Sequence, residues 1–169
     1  MSEPPLTPEA FAAAANVSRG TMARLTAYAE TLIRFQKTVN LVGPATLTDL
    51  WRRHFLDSAQ LFDLLPKEPE ALTVLDVGSG AGFPGLVLAV MAEGADRRLD
   101  LHLADSDTRK CAFLREAARA AGVTPTLHNA RIEAVPPFSV DIITARALAP
   151  VARIFEFCEG FLDFGPVKP

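Results

Sequence analysis

The sequence is poor in cysteine, tryptophan and tyrosine, with two, one and one among 169 residues. Cys111 and Cys158 lack metal-type spacing and fall in segments that read as helices. Neither a disulfide framework nor a metal centre is expected, and free thiols fit a reducing compartment. No apolar run approaches the roughly 20 residues of a membrane-spanning helix. The opening MSEPPLTPEAF lacks the basic region and apolar run of a secretory signal. A cytoplasmic protein is therefore expected. Neither sign of charge dominates: 17 Lys and Arg stand against 20 Asp and Glu, a net charge of -3. That balance does not announce nucleic-acid binding, although a local basic patch suffices for it. Repeats and low-complexity segments are also missing, and the length suits one domain with a small appendage.

What is present is a glycine-rich turn after a short apolar run. Leu72-Thr73-Val74 leads into Leu75-Asp76-Val77-Gly78-Ser79-Gly80-Ala81-Gly82-Phe83-Pro84-Gly85, and Leu86 to Met91 is apolar throughout. The order reads as buried parallel strand, tight turn and helix. Gly78, Gly80 and Gly82 permit a close ligand approach, and the helix start behind them favours a nucleotide-like ligand. Residues 80–85 satisfy the dinucleotide pattern G-x-G-x-x-G, with Asp105 about 20 residues on. Asp76 argues differently. A carboxylate at the strand end would repel a pyrophosphate and pair with a cation. S-adenosylmethionine carries an ammonium and a sulfonium and no phosphate, and the stretch resembles the first motif of class I S-adenosylmethionine-dependent methyltransferases. A turn that merely joins strand to helix is the plainer reading.

Along the chain, Thr7-Pro8-Glu9 starts a helix to about Ala15, and Ser18 caps a second. Met22, Leu25, Ala29, Leu32, Phe35 and Val39 form one face of that second helix, which Asn40 to Pro44 break. Thr46 and Asp49 suggest a cap for a third helix to about Leu65. Residues 1–70 thus read as an N-terminal helical cap, and 71–169 as the ligand-binding core. In that core, strands are expected at Thr73–Val77, Asp100–Ala104, Thr124–His128 and Val140–Thr144. Helices are expected at about Pro84–Met91, Thr108–Ala121 and Pro150–Leu162, with a shorter element near Arg131–Val135. The alternation predicts an α/β, doubly wound parallel sheet of Rossmann-like type.

Ligands bind such sheets beyond the carboxyl ends of the strands. Asp105 would accept ribose hydroxyls there, or one of Asp105, Ser106 and Asp107 would cap the next helix. Backbone groups at Ile132 and Glu133 could read an adenine edge with Ile132 on the ring, or the segment is an ordinary loop. Arg146 would anchor a cofactor carboxylate or a substrate phosphate, or pair with Asp141 or Glu133. His54, Asp57 and Ser58 hold the residue types of a hydrolase triad. Side chains on one helix diverge, however, so a polar cluster tying the cap to the sheet is the better reading.

Several pieces together carry a narrower resemblance. They are Asn40-Leu41, Arg53-His54-Phe55-Leu56-Asp57-Ser58, the glycine stretch, Ala104-Asp105-Ser106 with Lys110 and Phe113-Leu114, Arg131-Ile132-Glu133, and Ala145-Arg146-Ala147. In this order the chain resembles the bacterial 16S ribosomal RNA (guanine-N7) methyltransferase family, once called glucose-inhibited division protein B. The resemblance implies that Gly78, Phe83, Ile132, Glu133 and Arg146 line an S-adenosylmethionine site. Asp76, Gly80, Gly82 and Asp105 complete the expected cofactor contacts, Arg52, Arg53 and His54 are candidates for RNA, and the His54-Asp57-Ser58 cluster could touch it. For Arg52, Arg53, Arg109, Lys110, Arg115 and Arg119, contact with an RNA backbone stands beside a solvated surface. It also implies methylation of one guanine N7 in 16S ribosomal RNA, free or in the small subunit, with no metal and no membrane. Against the usual class I fold, the C-terminal strands are expected to be missing, leaving the fourth strand as an edge.

Two other functions share these features. A nicotinamide-dependent oxidoreductase would use the same glycines but needs a substrate domain and a catalytic acid. A non-catalytic RNA-binding relative would keep a residual cofactor site.

Overall fold

The computed structural model describes residues 3–161. Helix α1 (Pro8–Ala14) starts as expected, with the Thr7 hydroxyl accepting from the Ala10 amide at 3.2 Å. Helix α2 (Arg19–Gln36) is capped by Ser18, whose hydroxyl accepts from Thr21. Leu25, Tyr28, Ala29 and Leu32 line its buried face.

The expected third helix is instead a chain of short pieces. Helix α3 (Pro44–Leu47) is followed by a π-helical segment, Trp51–Leu56, then α4 (Asp57–Ala59) and a 3-10 turn, Phe62–Leu64. Thr46 and Asp49 do not cap as expected, because other partners take both side chains. The Thr46 hydroxyl donates to the Gly43 carbonyl, and Asp49 accepts from the Leu6 amide and pairs with Arg52. The start falls to Pro44, whose fixed φ suits a first helical position.

From Ala71 the chain alternates: β1 (Ala71–Val77), α5 (Gly85–Gly94), β2 (Arg98–Ala104), α6 (Thr108–Ala121), β3 (Thr126–His128), a 3-10 turn at Ile132–Ala134, β4 (Ile142–Ala145) and α7 (Val151–Cys158). A 3-10 turn, Glu159–Phe161, ends the described chain, so the expected helical residue Leu162 and the residues after it lie outside it. The four strands are parallel in the order β3-β2-β1-β4. β1 and β2 each begin two residues earlier than expected, because Ala71 pairs with Arg98 irrespective of the apolar pattern. β4 begins later. Asp141 forms a clamp just ahead of it, donating its amide to the Thr73 carbonyl and accepting the Thr73 amide on its carboxylate. Among the described residues β4 pairs only with β1.

Strand periodicity sorts β1 into two faces. Leu72 and Val74 pack with α2, α5 and α6, whereas Leu75 and Val77 pack toward α7 with Ile132, Ile143 and Cys158. The first core runs unbroken from Phe11 and Leu25 in the cap to Leu88 and Phe113 beside the sheet. The chain moves outward from β1 through β2 to β3, then crosses back to β4. The carboxyl ends of β1 and β4 therefore meet at the switch point, with Val77 opposite Ala145.

Candidate functional site

At that switch point the glycine loop follows β1 and Arg146 follows β4. The loop is tied down by its own backbone. The Gly78 and Ser79 amides both donate to the Ala104 carbonyl, at 2.9 and 3.0 Å. The Gly80 amide donates to Asp105 Oδ2 at 2.8 Å, and the Gly82 amide to the Ser79 carbonyl at 2.6 Å. Gly80 has φ +54° with nothing nearer than 3.7 Å to where a Cβ would stand. Gly82, at φ +84°, is hemmed in: a Cβ there would meet Leu86 at 2.6 Å and the Tyr28 hydroxyl at 2.8 Å.

Asp76 lies beneath this loop, fully buried on the α5 side of the sheet. Its Oδ1 accepts from the Thr144 hydroxyl at 2.6 Å, across the β1–β4 pair. Its Oδ2 is buried with no partner in hydrogen-bond geometry. Burial pushes its carboxyl up to about 6, against the pull of the Thr144 and Ser79 hydroxyls, the Gly85 amide and the Arg146 charge. Asp76 is thus a charge under the floor of the site and does not line the cleft.

No sequence motif singles out Tyr28. Fully buried, it donates its hydroxyl to the Ala81 carbonyl. Its ring packs 5.4 Å from Phe83 and 5.2 Å from Phe55. Burial, and next the nearby Asp76 charge, hold the phenol well above its ordinary value, so it stays a donor. The available signal was its place three residues after Leu25, on the apolar face of α2.

A cleft of about 600 Å3 opens between the loop and the cap. Its walls bring together Gly78, Gly80, Phe83 and Arg146 from the core with Arg52, Arg53 and His54 from the π-helical segment. Such π turns recur at functional sites. Arg146 is the link. It donates to His54 Nδ1 at 2.8 Å and to Asp57 Oδ2 at 3.2 Å, and its guanidinium stands 5.1 Å from the Phe83 ring centre. The expected alternative, pairing with Asp141 or Glu133, is replaced by this tie to Asp57.

Arg146 has no acceptor, so His54 Nδ1 must be unprotonated. The proton is then on Nε2, which lies 2.7 Å from the Thr46 hydroxyl; that hydroxyl passes its own proton to Gly43. Burial, then the Arg146 charge, lower the His54 pKa to about 4 despite Asp57. The imidazole is neutral at pH 7. Ser58 donates to the His54 carbonyl rather than to its ring, so the three residues form a cap-to-sheet cluster and not a triad.

The remaining candidates divide between the cleft and its surroundings. Asp105 accepts from Gly80 and, through Oδ1, from the Asp107 amide, joining the glycine loop to the start of α6. Asp107 is the helix cap. Ile132 is buried on the α7 face of the sheet, and Glu133 is exposed. Of the basic residues, Arg52 pairs with Glu3 and Asp49, Arg109 with Asp107 and Arg119 with Glu116. Arg53 and Lys110 line the cleft. No group of three metal-ligating side chains occurs among the described residues, and none of their helices is long and apolar enough to cross a membrane.

Comparison with known proteins agrees with this architecture. The family model described as rRNA small subunit methyltransferase G matches residues 21–165. A protein of Rhodospirillum rubrum named ribosomal RNA small subunit methyltransferase G is 55% identical over 160 residues, 95% of this chain and 76% of that one. Proteins of the same name from Paramagnetospirillum magneticum and Parvibaculum lavamentivorans are 54% identical over 147 residues and 46% identical over 160. Those alignments cover 87% and 94% of this chain, and 68% and 69% of the relatives. With its parallel sheet, glycine loop and cap-walled cleft, the chain belongs to the rRNA small subunit methyltransferase G family.

Proposed function

We propose that this protein transfers a methyl group from S-adenosylmethionine to N7 of a guanine in 16S ribosomal RNA, in the cytoplasm, as free RNA or as the small subunit. The observation that carries the choice of cofactor is the way the loop amides are spent. The Gly78, Ser79, Gly80 and Gly82 N–H groups donate within the protein and Pro84 has none, so only Ala81 and Phe83 keep an amide with no acceptor among the described residues. A pyrophosphate bound as in dinucleotide sites needs such amides free. Two carboxylates, Asp76 and Asp105, sit under and behind the same loop and would repel it. The same charges favour a cationic ligand, and the open space at Gly80 gives it room. The nicotinamide reading loses on both counts.

In this reading Gly78, Gly80, Phe83 and Arg146 hold the methionine end of the cofactor, and Gly82 keeps the loop closed over Asp76. Asp105, Ile132 and Glu133, on the loops after β2 and β3, hold the adenosyl end. S-adenosylmethionine supplies a methyl on sulfur; the N7 lone pair takes it as the S–C bond breaks, and the positive charge passes to the purine. N7 has no proton to lose, so the protein supplies position rather than a base. Arg53 and Lys110 on the cleft wall are placed for the phosphates of an unstacked nucleotide.

Calorimetry with S-adenosylhomocysteine and with NAD, then transfer of labelled methyl to unmethylated 30S subunits and to free 16S RNA, tests this. Binding of the first ligand alone, with label at guanine N7, is expected. Binding of NAD would reject the cofactor assignment. Cofactor binding without transfer to either substrate would leave a non-catalytic relative.

A further inference from the structure

The cleft is lined by four cations, Arg52, Arg53, Lys110 and Arg146, and by one carboxylate, Asp57. A groove that only gripped phosphates would gain nothing from that carboxylate, which would repel them. Asp57 is not buried structure either: its side chain is 58% exposed. Arg146 engages its Oδ2 and no described residue engages its Oδ1. We propose that Asp57, side by side with Arg146, reads the Watson–Crick edge of the target guanine.

The pairing follows from donor and acceptor counts. Guanine presents N2–H, N1–H and O6 in a row: two donors, then an acceptor. The Asp57 carboxylate offers two acceptors, each oxygen with more than one lone pair. Arg146 has five N–H groups, and its contacts to His54, Asp57 and the Arg53 carbonyl leave others to donate to O6. The ion pair is therefore complementary to guanine. Adenine would set its N1 lone pair against the carboxylate and its amino group against the guanidinium, two repulsive contacts. Binding by the N2–H, N1–H and O6 edge leaves the N7 lone pair, on the adjoining Hoogsteen edge, unpaired and open to the methyl donor. His54 is the positioning residue, fixing the guanidinium so that it stands beside Asp57.

The inference rests on the guanine-N7 reading above, and one substrate change separates the two. The substrates are 30S subunits reconstituted with 16S RNA carrying guanine, or inosine, at the nucleotide that the wild-type protein labels. Inosine keeps N7, O6 and N1–H and lacks only the N2 amine. The wild-type protein is expected to methylate the inosine subunits at least about tenfold more slowly. Asp57→Asn is expected to be slow on both and to have lost the difference. A merely structural Asp57 would slow both substrates equally and keep the ratio. Equal wild-type rates on the two, or an unchanged ratio in Asp57→Asn, would overturn the assignment while leaving the methyltransferase reading intact. No label in the guanine subunits would overturn both.

Discussion

Arg146 Nη2 stands 2.8 Å from His54 Nδ1, joining the loop after the last described strand to a π-helical turn almost a hundred residues earlier. Through this contact the helical cap becomes a wall of the cleft. Replacing Arg146 by Lys keeps the charge but loses the planar fork that reaches His54 and Asp57 together. Methyl transfer is expected to fall at least about tenfold. Stability should fall by only about 1 kcal/mol, because the ion pair to Asp57 is partly exposed. Urea unfolding and initial rates on 30S subunits check the two numbers.

His54 and Asp76 make opposite pH contributions. The His54 pKa falls from 6.5 to about 4 on folding. The unfolded chain therefore binds the extra proton between those values, and this contribution is complete above 6.5 and lost as pH falls to 4. Asp76 rises from 3.8 to about 6. The folded chain binds that proton, and this contribution is complete below 3.8 and lost as pH rises through 6. The two oppose each other between pH 4 and 6. His54→Gln should then make stability fall with rising pH across that window, and Asp76→Asn should make it rise. Neither slope should exceed about 1.4 kcal/mol per pH unit. Urea midpoints at pH 4, 5, 6 and 7 decide the signs.

Tyr28→Phe keeps the ring in its aromatic cluster and removes only the hydroxyl that holds the Ala81 carbonyl. A cost of about 1–2 kcal/mol is expected, since a buried carbonyl loses its donor. In a chain of this length that is a melting shift of roughly 2–8 °C. Affinity for S-adenosylhomocysteine should weaken with it, because Ala81 is part of the glycine loop. Calorimetry and a thermal melt on the same variant test whether the two effects travel together.

Two glycines of the loop should respond differently to one methyl group. At Gly82 the new Cβ collides with Leu86 and the Tyr28 hydroxyl, so Gly82→Ala should destabilise the fold by several kcal/mol. At Gly80 the space is open, and only the left-handed backbone opposes the change, at about 1–2 kcal/mol. Gly80→Ala should stay folded and lose cofactor binding, because the methyl occupies the cradle. A folded Gly80→Ala with unchanged affinity for S-adenosylhomocysteine would remove Gly80 from the site.

Much of the fold is local, and local patterns are legible. The span of α6, Thr108–Ala121, and the Ser18 cap follow from side-chain spacing and capping chemistry alone. The third helix departs from expectation because Thr46 and Asp49 are ordinary capping residues whose side chains are claimed elsewhere, Thr46 by Gly43 and His54 and Asp49 by the distant Leu6 amide. Asp76 was expected at the mouth of the site and lies beneath it. Strand alternation gives the face of the sheet, but the helix packed above decides whether that face reaches solvent.

The sequence by itself determined a strand, a glycine turn and a helix, followed by further strands in parallel, because periodicity and backbone freedom belong to neighbouring residues. Only the tertiary structure decided the cleft. It set Asp57 and His54 against Arg146, spent four of the loop amides internally and placed Tyr28 beneath Ala81. The contacts of Arg146 with His54 and Asp57, and of Tyr28 with Ala81, span at least fifty residues of chain, where sequence spacing carries no geometric information and only packing brings the partners within a hydrogen bond.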